Sequence, residues 1–230
     1  MIKLMIFDLD NTLAKLGKGI IPEDLELLKR IENQGIRIAI CSGKPVYYLC
    51  GFLRQAELNA PILIGENGAV IQFGVDLPPQ KSFVLPYSSE AKCIIGELKR
   101  KITERLPDMW YQPNEVGLTP FPKSREEFDE IESILKEVKA DMKDVVVYRH
   151  IDSFDITPKG IDKKAGIKYL GDLLEIASDE MAAIGDGVND YPMFEYAGLS
   201  VGVNVKEKKK VDQNFHTSTQ ALEYLLSMAS

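Results

Sequence analysis

Short apolar runs alternate with amphipathic stretches along the first third of the chain. Each apolar run has the length of a buried strand, and the first amphipathic stretch repeats leucine and isoleucine at helical spacing. The predicted strands are 3–7, 36–40, 62–64 and 69–73, and the predicted helices run from Pro22 to a stop signal at Gly35 and over 46–55. A repeated strand–helix order predicts a parallel sheet that is covered by helices.

The pattern changes after residue 77, which predicts an insertion. Two helices (88–105 and 124–139), two strands (145–148 and 153–156) and a loop or irregular hairpin at 110–121 are predicted there. Strand–helix alternation resumes after residue 157, with a helix at 162–175, strands at 181–184 and 199–203, and a last helix capped by Thr217. We therefore predict an α/β fold with a Rossmann-like parallel sheet core of residues 1–77 and 158–230, interrupted by an α+β domain at 78–157.

Composition narrows the class of protein. Of the 230 residues, 45% are hydrophobic and 27% are charged, which is typical of a globular chain that buries a core. The formal net charge of −7 argues against general binding to nucleic acid or to anionic membranes. We expect no membrane span and no signal peptide. Three cysteines without paired spacing indicate reduced thiols in the core and a cytoplasmic location.

Acidic residues follow two of the predicted strands directly. The segment FDLDNTL places Asp8 and Asp10 after the first strand, and AIGDGVND places Asp186 and Asp190 after a later one. Ligands of open α/β sheets bind at the carboxyl ends of strands, so these acids are expected at one edge. A single aspartate there is usually a turn or cap residue. Two such pairs favour a site for Mg²⁺, whose preferred ligands are oxygens.

Two further segments are suited to binding a phosphate. ICSGK ends the second predicted strand with Ser42 and Gly43, where a hydroxyl and backbone N–H groups meet the start of a helix. TPKGIDKKAG brings Lys159, Lys163 and Lys164 to the start of another helix, and one of them is expected to balance phosphate charge. The alternative interpretation is a helix cap for the serine and surface positions for the lysines.

In that order, FDLDNTL, the serine of ICSGK, the lysine of GIDKKAG and GDGVND resemble the four motifs of the haloacid dehalogenase-like (HAD) superfamily. The insertion resembles the α+β cap of its Cof-type branch, subfamily IIB. That branch includes phosphoglycolate phosphatases, sucrose-phosphate phosphatases and phosphomannomutases. GENGAV is also similar to a segment common in the branch, and FDITPKGIDK is most similar to the phosphoglycolate phosphatase-like members.

The resemblance implies a role for each acidic residue. Asp8 matches the nucleophile, which forms an aspartyl-phosphate and also binds Mg²⁺. Asp10 matches the general acid/base, with its main-chain carbonyl as a metal ligand. Asp186 matches a metal ligand, and Asp190 a direct or water-mediated one. The branch usually has glycine where Asn11 stands, which leaves the shape of this loop open.

The resemblance also implies the phosphate-binding residues. Ser42 matches the phosphate-binding hydroxyl, beside the backbone of Gly43. Lys163 matches the lysine of the third motif better than Lys159 does, because the family lysine follows a Gly-x-x spacing. Asn189 matches the second half of the fourth motif.

The implied activity is a Mg²⁺-dependent phosphatase that hydrolyses a small phosphorylated metabolite, with phosphoglycolate or a sugar phosphate as the expected substrate. A phosphomutase and a non-catalytic phosphometabolite-binding protein are the alternatives. The expected partner is a small phosphate ester, and the chain is expected to be a monomer or a homodimer. Residues of the cap that are candidates for substrate contact or for its core are Trp110, Tyr111, Asn114, Phe121, Arg125, Arg149 and His150.

Overall fold

The computed structural model describes residues 1–228 of the chain. Its strands are β1 (Leu4–Phe7), β2 (Arg37–Cys41), β3 (Ile62–Gly65), β4 (Val70–Phe73), β5 (Lys81–Val84), β6 (Trp110–Tyr111), β7 (Pro120–Phe121), β8 (Val145–Arg149), β9 (Phe154–Pro158), β10 (Met181–Gly185), β11 (Leu199–Val203) and β12 (Gln213–Phe215). Its α-helices are α1 (Pro22–Asn33), α2 (Val46–Leu53), α3 (Ser89–Arg105), α4 (Arg125–Val138), α5 (Lys163–Leu174), α6 (Tyr191–Phe194) and α7 (Ser218–Met228).

Two compact units divide the chain. Met1–Leu85 and the chain from Asp162 onward form the first, and Pro86–Ile161 forms the second. The first boundary predicted from the sequence lies between residues 77 and 78. In the structure the boundary lies later because residues 81–84 form β5, which pairs antiparallel with β4 in the sheet of the first unit. The predicted core range also extends to residues 229–230, which lie outside the described residues.

An eight-stranded sheet is the centre of the first unit. The strand order is β12-β11-β10-β1-β2-β3-β4-β5, and neighbouring strands from β12 to β3 run parallel. β4 and β5 are added antiparallel. Every residue of β1 and β10 is buried, which is why these central strands are continuous apolar runs and not alternating ones. The predicted α/β architecture with a mostly parallel sheet is therefore confirmed.

A buried aspartate joins the first and last helices of this unit. α1 begins at Pro22, as predicted, because proline lacks the N–H that a first helical residue leaves unpaired. Asp24 in its first turn is fully buried, and its carboxylate accepts hydrogen bonds from the hydroxyls of Ser218 and Thr219, the latter at 2.7 Å. This carboxylate thereby fixes the start of α7 against α1.

The second unit packs two helices on a strand pair. α3 and α4 lie against the antiparallel pair β8–β9 around an apolar cluster that includes Leu98, Ile131 and Ile156. Ser88 caps α3 by accepting from the N–H of Ala91 at 3.1 Å. The short pair β6–β7 forms the hairpin that was predicted within 110–121.

The segment from Ser124 to Glu127 has the sequence of a capping box, and this box is formed on one side only. The hydroxyl of Ser124 accepts from the N–H of Glu127 at 3.3 Å, which satisfies one free donor of the first turn. The carboxylate of Glu127 accepts instead from the N–H of Lys123 at 2.6 Å, one residue before the expected donor. The helix begins at Arg125, one residue after the capping serine.

The three cysteines are free thiols with two different environments. Cys41 and Cys50 are buried core residues, as predicted, and burial raises the pKa of the Cys41 thiol to about 12. Cys93 is exposed on α3, so its assignment to the core was wrong. Among the helices within residues 1–228, none has the length and apolarity that crossing a bilayer requires.

Candidate active site

Two neighbouring strands bring the acidic motifs together. β1 and β10 are parallel and in register with Phe7 opposite Ile184, so the residues that follow them lie at one sheet edge. Asp8 follows β1 directly, and its N–H donates to the carbonyl of Ile184 at 2.8 Å. Carboxylate oxygens of Asp8, Asp186 and Asp190 all lie within 4.8 Å of one another. The predicted convergence of three acids is therefore present in the structure.

A tight turn after β10 fixes the carboxylate of Asp190. Its Oδ2 accepts from the backbone N–H groups of Asp186 and Gly187, both at 3.0 Å. Gly185 makes this turn possible, because a Cβ at that position would overlap the Asp190 carboxylate. The spacing of GDGVND thus follows from a carboxylate that folds back onto its own backbone.

Lys163 connects the two acidic segments. Its Nζ donates to Asp8 Oδ1 and to Asp190 Oδ1, each at 2.6 Å, and the side chain is only 1% exposed. Lys163 is the first residue of α5, whose N-cap Asp162 accepts from the N–H of Ala165 at 2.8 Å. The helix start therefore sets where the ammonium group lies. A lysine there opposes the helix dipole, and the facing carboxylates compensate for this.

The site carries excess negative charge in a desolvated place. Burial raises the pKa of Asp8 to about 6, although the ammonium of Lys163 opposes this shift. Burial, together with the charges of Asp8 and Asp190, also raises the pKa of Asp186 to about 6. Burial by itself lowers the pKa of Lys163, but the two carboxylates outweigh it and hold that pKa above its usual range. One cation facing three carboxylates leaves an unbalanced charge.

The donor set fits a hard divalent cation. Asp8, Asp186 and Asp190 supply only oxygen atoms, which Mg²⁺ prefers, and a divalent charge would offset the excess that Lys163 leaves. Asp10 was predicted to bind through its main-chain carbonyl. Its carboxylate does not belong to this cluster, and the carbonyl contact stays a prediction.

The loop after β1 carries Asp10 and also Thr12, a site residue that was not predicted. The Asp10 side chain is 26% exposed, and its Oδ2 lies 3.9 Å from Nζ of Lys44. Asn11 adopts a left-handed backbone with φ 63°, a conformation that asparagine tolerates almost as glycine does, so this departure from the family pattern leaves the turn intact. Thr12 was missed by the sequence analysis. Its hydroxyl donates to Asp8 Oδ2 at 3.1 Å, and its position four residues after Asp8 was the available signal.

The loop after β2 is a tight turn with a buried hydroxyl. Ser42 is 3% exposed, its N–H donates to the carbonyl of Ile64 at 2.9 Å, and its Oγ accepts from the N–H of Lys44 at 3.2 Å. A Cβ on Gly43 would lie 3.3 Å from the side-chain amide of Asn67. The N-cap of α2 is Pro45 and receives no side-chain hydrogen bond, so the alternative interpretation of Ser42 as a helix cap was wrong. The serine makes a turn contact instead, and the binding of phosphate by Ser42 and Gly43 stays a prediction.

The structure distinguishes the candidate lysines and places Asn189 at the surface. Lys159 and Lys164 are exposed, and Lys159 lies in the second unit, whereas Lys163 contacts the carboxylates. Asn189 is exposed in the turn between β10 and α6, beside Gly187. Its predicted contact with phosphate stays a prediction.

Comparisons with known proteins identify what the chain is similar to. A family model described as haloacid dehalogenase-like hydrolase matches residues 5–83 and 100–219. A phosphoglycolate phosphatase from Thermoplasma volcanium is 26% identical over 85% of this chain and 82% of that protein. The 5-amino-6-(5-phospho-D-ribitylamino)uracil phosphatase YwtE from Bacillus subtilis is 25% identical over 94% of this chain and 93% of that protein.

A solved structure supports the fold along the whole chain. A protein described as a HAD subclass IIB sugar phosphatase superposes with a TM-score of 0.70 at 20% identity, over 97% of this chain and 98% of that chain. At this identity the likeness concerns the fold. It agrees with the Rossmann-like core and the inserted α+β domain that the element order predicted.

Proposed function

Because the chain belongs to the haloacid dehalogenase-like hydrolases, as its motifs predicted, we propose that it is a Mg²⁺-dependent phosphatase of small phosphorylated metabolites. The observation that carries the proposal is Nζ of Lys163, which donates to Asp8 and Asp190 at 2.6 Å inside a cluster of three carboxylates. Burying an ion-pair network costs desolvation energy, and such networks with shifted pKa values cluster at functional sites. Here it surrounds a carboxylate that is suited to attack phosphorus.

In the first step, an Asp8 carboxylate oxygen forms a bond to phosphorus while the bond from phosphorus to the leaving oxygen breaks. Lys163 favours the ionised form of Asp8 and offsets charge on the transferring group. Asp10 donates a proton to the leaving alkoxide, so that the released product is an alcohol.

The second step regenerates the free carboxylate. Asp10 removes a proton from water, whose oxygen attacks phosphorus as the bond to the Asp8 oxygen breaks, and inorganic phosphate leaves. Ser42, Gly43, Lys163 and Asn189 bind the phosphoryl oxygens in both steps. Mg²⁺, held by Asp8, Asp186, Asp190 and the main-chain carbonyl of Asp10, supplies Lewis-acid charge to those oxygens when it is bound.

The substrate class is a phosphate monoester of a small metabolite, with phosphoglycolate as the first candidate. Support comes from the relative that is named a phosphoglycolate phosphatase, while the second relative is named for a phosphorylated ribitylamino compound. The two names share a phosphate monoester and little else, so the inserted unit Pro86–Ile161 is proposed to select the rest of the substrate. We place the reaction in the cytoplasm, because the cysteines are free thiols.

A phosphate-release screen tests the proposal. The purified chain is incubated with phosphoglycolate, sugar phosphates and nucleotides, with Mg²⁺ or with a chelator, and inorganic phosphate is measured. We expect release that requires Mg²⁺ and is absent in the Asp8→Asn variant. Transfer of phosphate from a sugar bisphosphate to a sugar phosphate would indicate a phosphomutase instead. Binding of the esters without release by the wild-type protein would indicate a non-catalytic binding protein.

A further inference from the structure

We propose that Glu66, Asn67 and Gly68, the 66–68 turn, form the positioning element of this site. The turn contacts both the loop that carries Ser42 and the helix start that carries Lys163. The inference rests on the proposed function, because it assigns these two residues to the same phosphoryl group. None of the three turn residues is proposed to react with or bind the substrate.

Backbone hydrogen bonds join the turn to the loop after β2. The N–H of Asn67 donates to the carbonyl of Ser42 and the N–H of Glu66 to the carbonyl of Lys44, both at 3.0 Å. The side-chain amide of Asn67 also lies over Gly43, where a Cβ would be 3.3 Å away. Both ends of the Ser42–Lys44 loop are therefore held by successive residues of one turn.

The turn has a backbone that few residues adopt. Glu66, Asn67 and Gly68 have φ values of 52°, 54° and 108°, so three consecutive residues are left-handed. Asparagine tolerates this conformation, but Glu66 is disfavoured there by contact between Cβ and the backbone. A strained conformation of this kind persists only where the surrounding structure imposes it.

On its other side the turn packs directly on α5. A Cβ on Gly68 would overlap the carbonyl oxygen of Asp162, and a Cβ on Gly166 would lie 2.6 Å from Cα of Gly68. Two glycines therefore allow backbone to contact backbone at the first turn of the helix. Lys163 and Gly166 both belong to the first turn of α5. The packing of residues 66–68 on this helix therefore fixes the position of Lys163 relative to the carboxylates.

The metal ligands are positioned by other elements. Asp8 follows β1, and Asp186 and Asp190 follow β10, with Asp190 fixed by backbone N–H groups of its own turn. A disturbance of the 66–68 turn should therefore displace Ser42 and Lys163 more than the carboxylates. Lys163 also contacts Asp8 and Asp190, so Mg²⁺ affinity can change, but the predicted signature is a loss of phosphate binding and turnover that is larger than any change in Mg²⁺ affinity.

The first test is Gly166→Ala, with Gly51→Ala as the matched control. The Gly51 position in α2 has open space around it, so alanine there should leave all parameters unchanged. For Gly166→Ala we expect kcat/KM to fall by about 10²-fold, the cost of a displacement near 1 Å. Binding of inorganic phosphate in the presence of Mg²⁺, followed by calorimetry, should weaken. Binding of Mg²⁺ alone should change less than binding of phosphate.

The second test uses Asn67 and does not depend on the folding of Gly166→Ala. Asn67→Ala places a residue that disfavours the left-handed backbone, whereas Asn67→Gly preserves the turn and its N–H donor. If the left-handed backbone of the turn does the positioning, Asn67→Gly retains turnover and phosphate affinity, and Asn67→Ala loses both by more than it loses Mg²⁺ affinity. Equal loss in the two variants would overturn this role of the backbone, since the side-chain amide over Gly43 would then be what matters.

Further outcomes separate this proposal from the proposed function. If Gly166→Ala folds with unchanged phosphate affinity and turnover, or loses Mg²⁺ affinity as strongly as phosphate affinity, the positioning role is wrong. If the wild-type chain releases no phosphate from any ester, the proposed function fails. Calorimetry of Mg²⁺ and phosphate binding would in that case still show whether the 66–68 turn positions the anion site.

Discussion

The two units of the chain differ in where their charged side chains lie. The first unit buries Asp8, Asp24, Lys163 and Asp190, each with partners that satisfy it. In the second unit, none of the charged side chains with a described environment is buried, and pairs such as Arg105 with Glu130 and Glu137 lie at the surface. Burying a charge is costly, so each buried charge needs a partner, and the cluster in which one lysine faces three carboxylates marks the candidate active site. Ion pairs at the surface do not indicate a particular substrate. The charged residues of the inserted unit therefore say less about function than those of the first unit do.

The largest expected effect is on turnover in the first unit. Asp8→Asn removes the proposed nucleophile, and we expect phosphate release to fall by at least about 10³-fold. It also removes one of three mutually repelling carboxylates while an amide oxygen can still accept from Lys163. The metal-free variant should therefore unfold at the same temperature as the wild type or higher. Phosphate release and thermal unfolding in chelator measure the two effects.

Asp24→Asn is the matched control for that variant. Asp24 is also a buried aspartate of the first unit, but its partners are the hydroxyls of Ser218 and Thr219, away from the acidic motifs in sequence. We expect it to lower the unfolding temperature and to leave kcat unchanged. A fully active Asp8→Asn protein, or an inactive but folded Asp24→Asn protein, would contradict the distinction between the two buried acids.

The next largest effect is expected on the free energy of unfolding, where one charged residue of each unit is compared. Lys163→Met leaves buried carboxylates without their cation, which should lower the free energy of unfolding by about 3–5 kcal/mol in chelator at pH 8. Arg105→Met removes two exposed ion pairs of the second unit and should scarcely change the free energy of unfolding. Denaturant unfolding monitored by circular dichroism measures both variants. A similar decrease in the free energy of unfolding for both variants would show that burial does not determine how much these charges contribute to stability.

The sequence predicted the acidic site because its geometry is local. Asp8 and Asp186 come directly after buried strands, and the end of a strand fixes where the next side chain lies. The choice of Lys163 over its neighbours came from the family spacing. Its contacts could not be read from the chain, since it meets Asp8 across 155 residues and Asp190 across 27.

The parts that sequence reasoning missed depend on tertiary contact. The strand Lys81–Val84 is short and mostly exposed, and its alternation is too weak to separate it from a linker, so the insertion was placed too early. The strand Gln213–Phe215 is three residues long and partly polar. The contact of Gly68 with Gly166 has no sequence signal other than two isolated glycines that are far apart along the chain. In each case the partner in space, and not the local pattern, decides the structure.

A smaller effect is expected from the metal. Mg²⁺ that binds the folded carboxylates and not the unfolded chain should stabilise the protein by about 2.7 kcal/mol at 100 times its dissociation constant. Asp186→Ala should abolish most of this shift, because it removes one of the three ligands. Asp155→Asn, which changes an acid of the second unit, should retain it. Thermal unfolding with Mg²⁺ and with chelator provides the measurement, and a full shift in Asp186→Ala would place the metal elsewhere.

The smallest effect is a pH dependence in the second unit. The hydrogen bond to Asp155 raises the pKa of His150, and partial burial opposes it. Because the folded pKa lies above the unfolded value near 6.5, the stabilisation is complete below that pH and is lost as pH rises through the folded pKa. The ring is half exposed, so solvent limits the gain to below about 1 kcal/mol. His150→Gln should therefore be less stable than the wild type at pH 5.5 and equal to it at pH 8.5. An equal deficit at both values would mean that the ring contributes by packing and not through its charge.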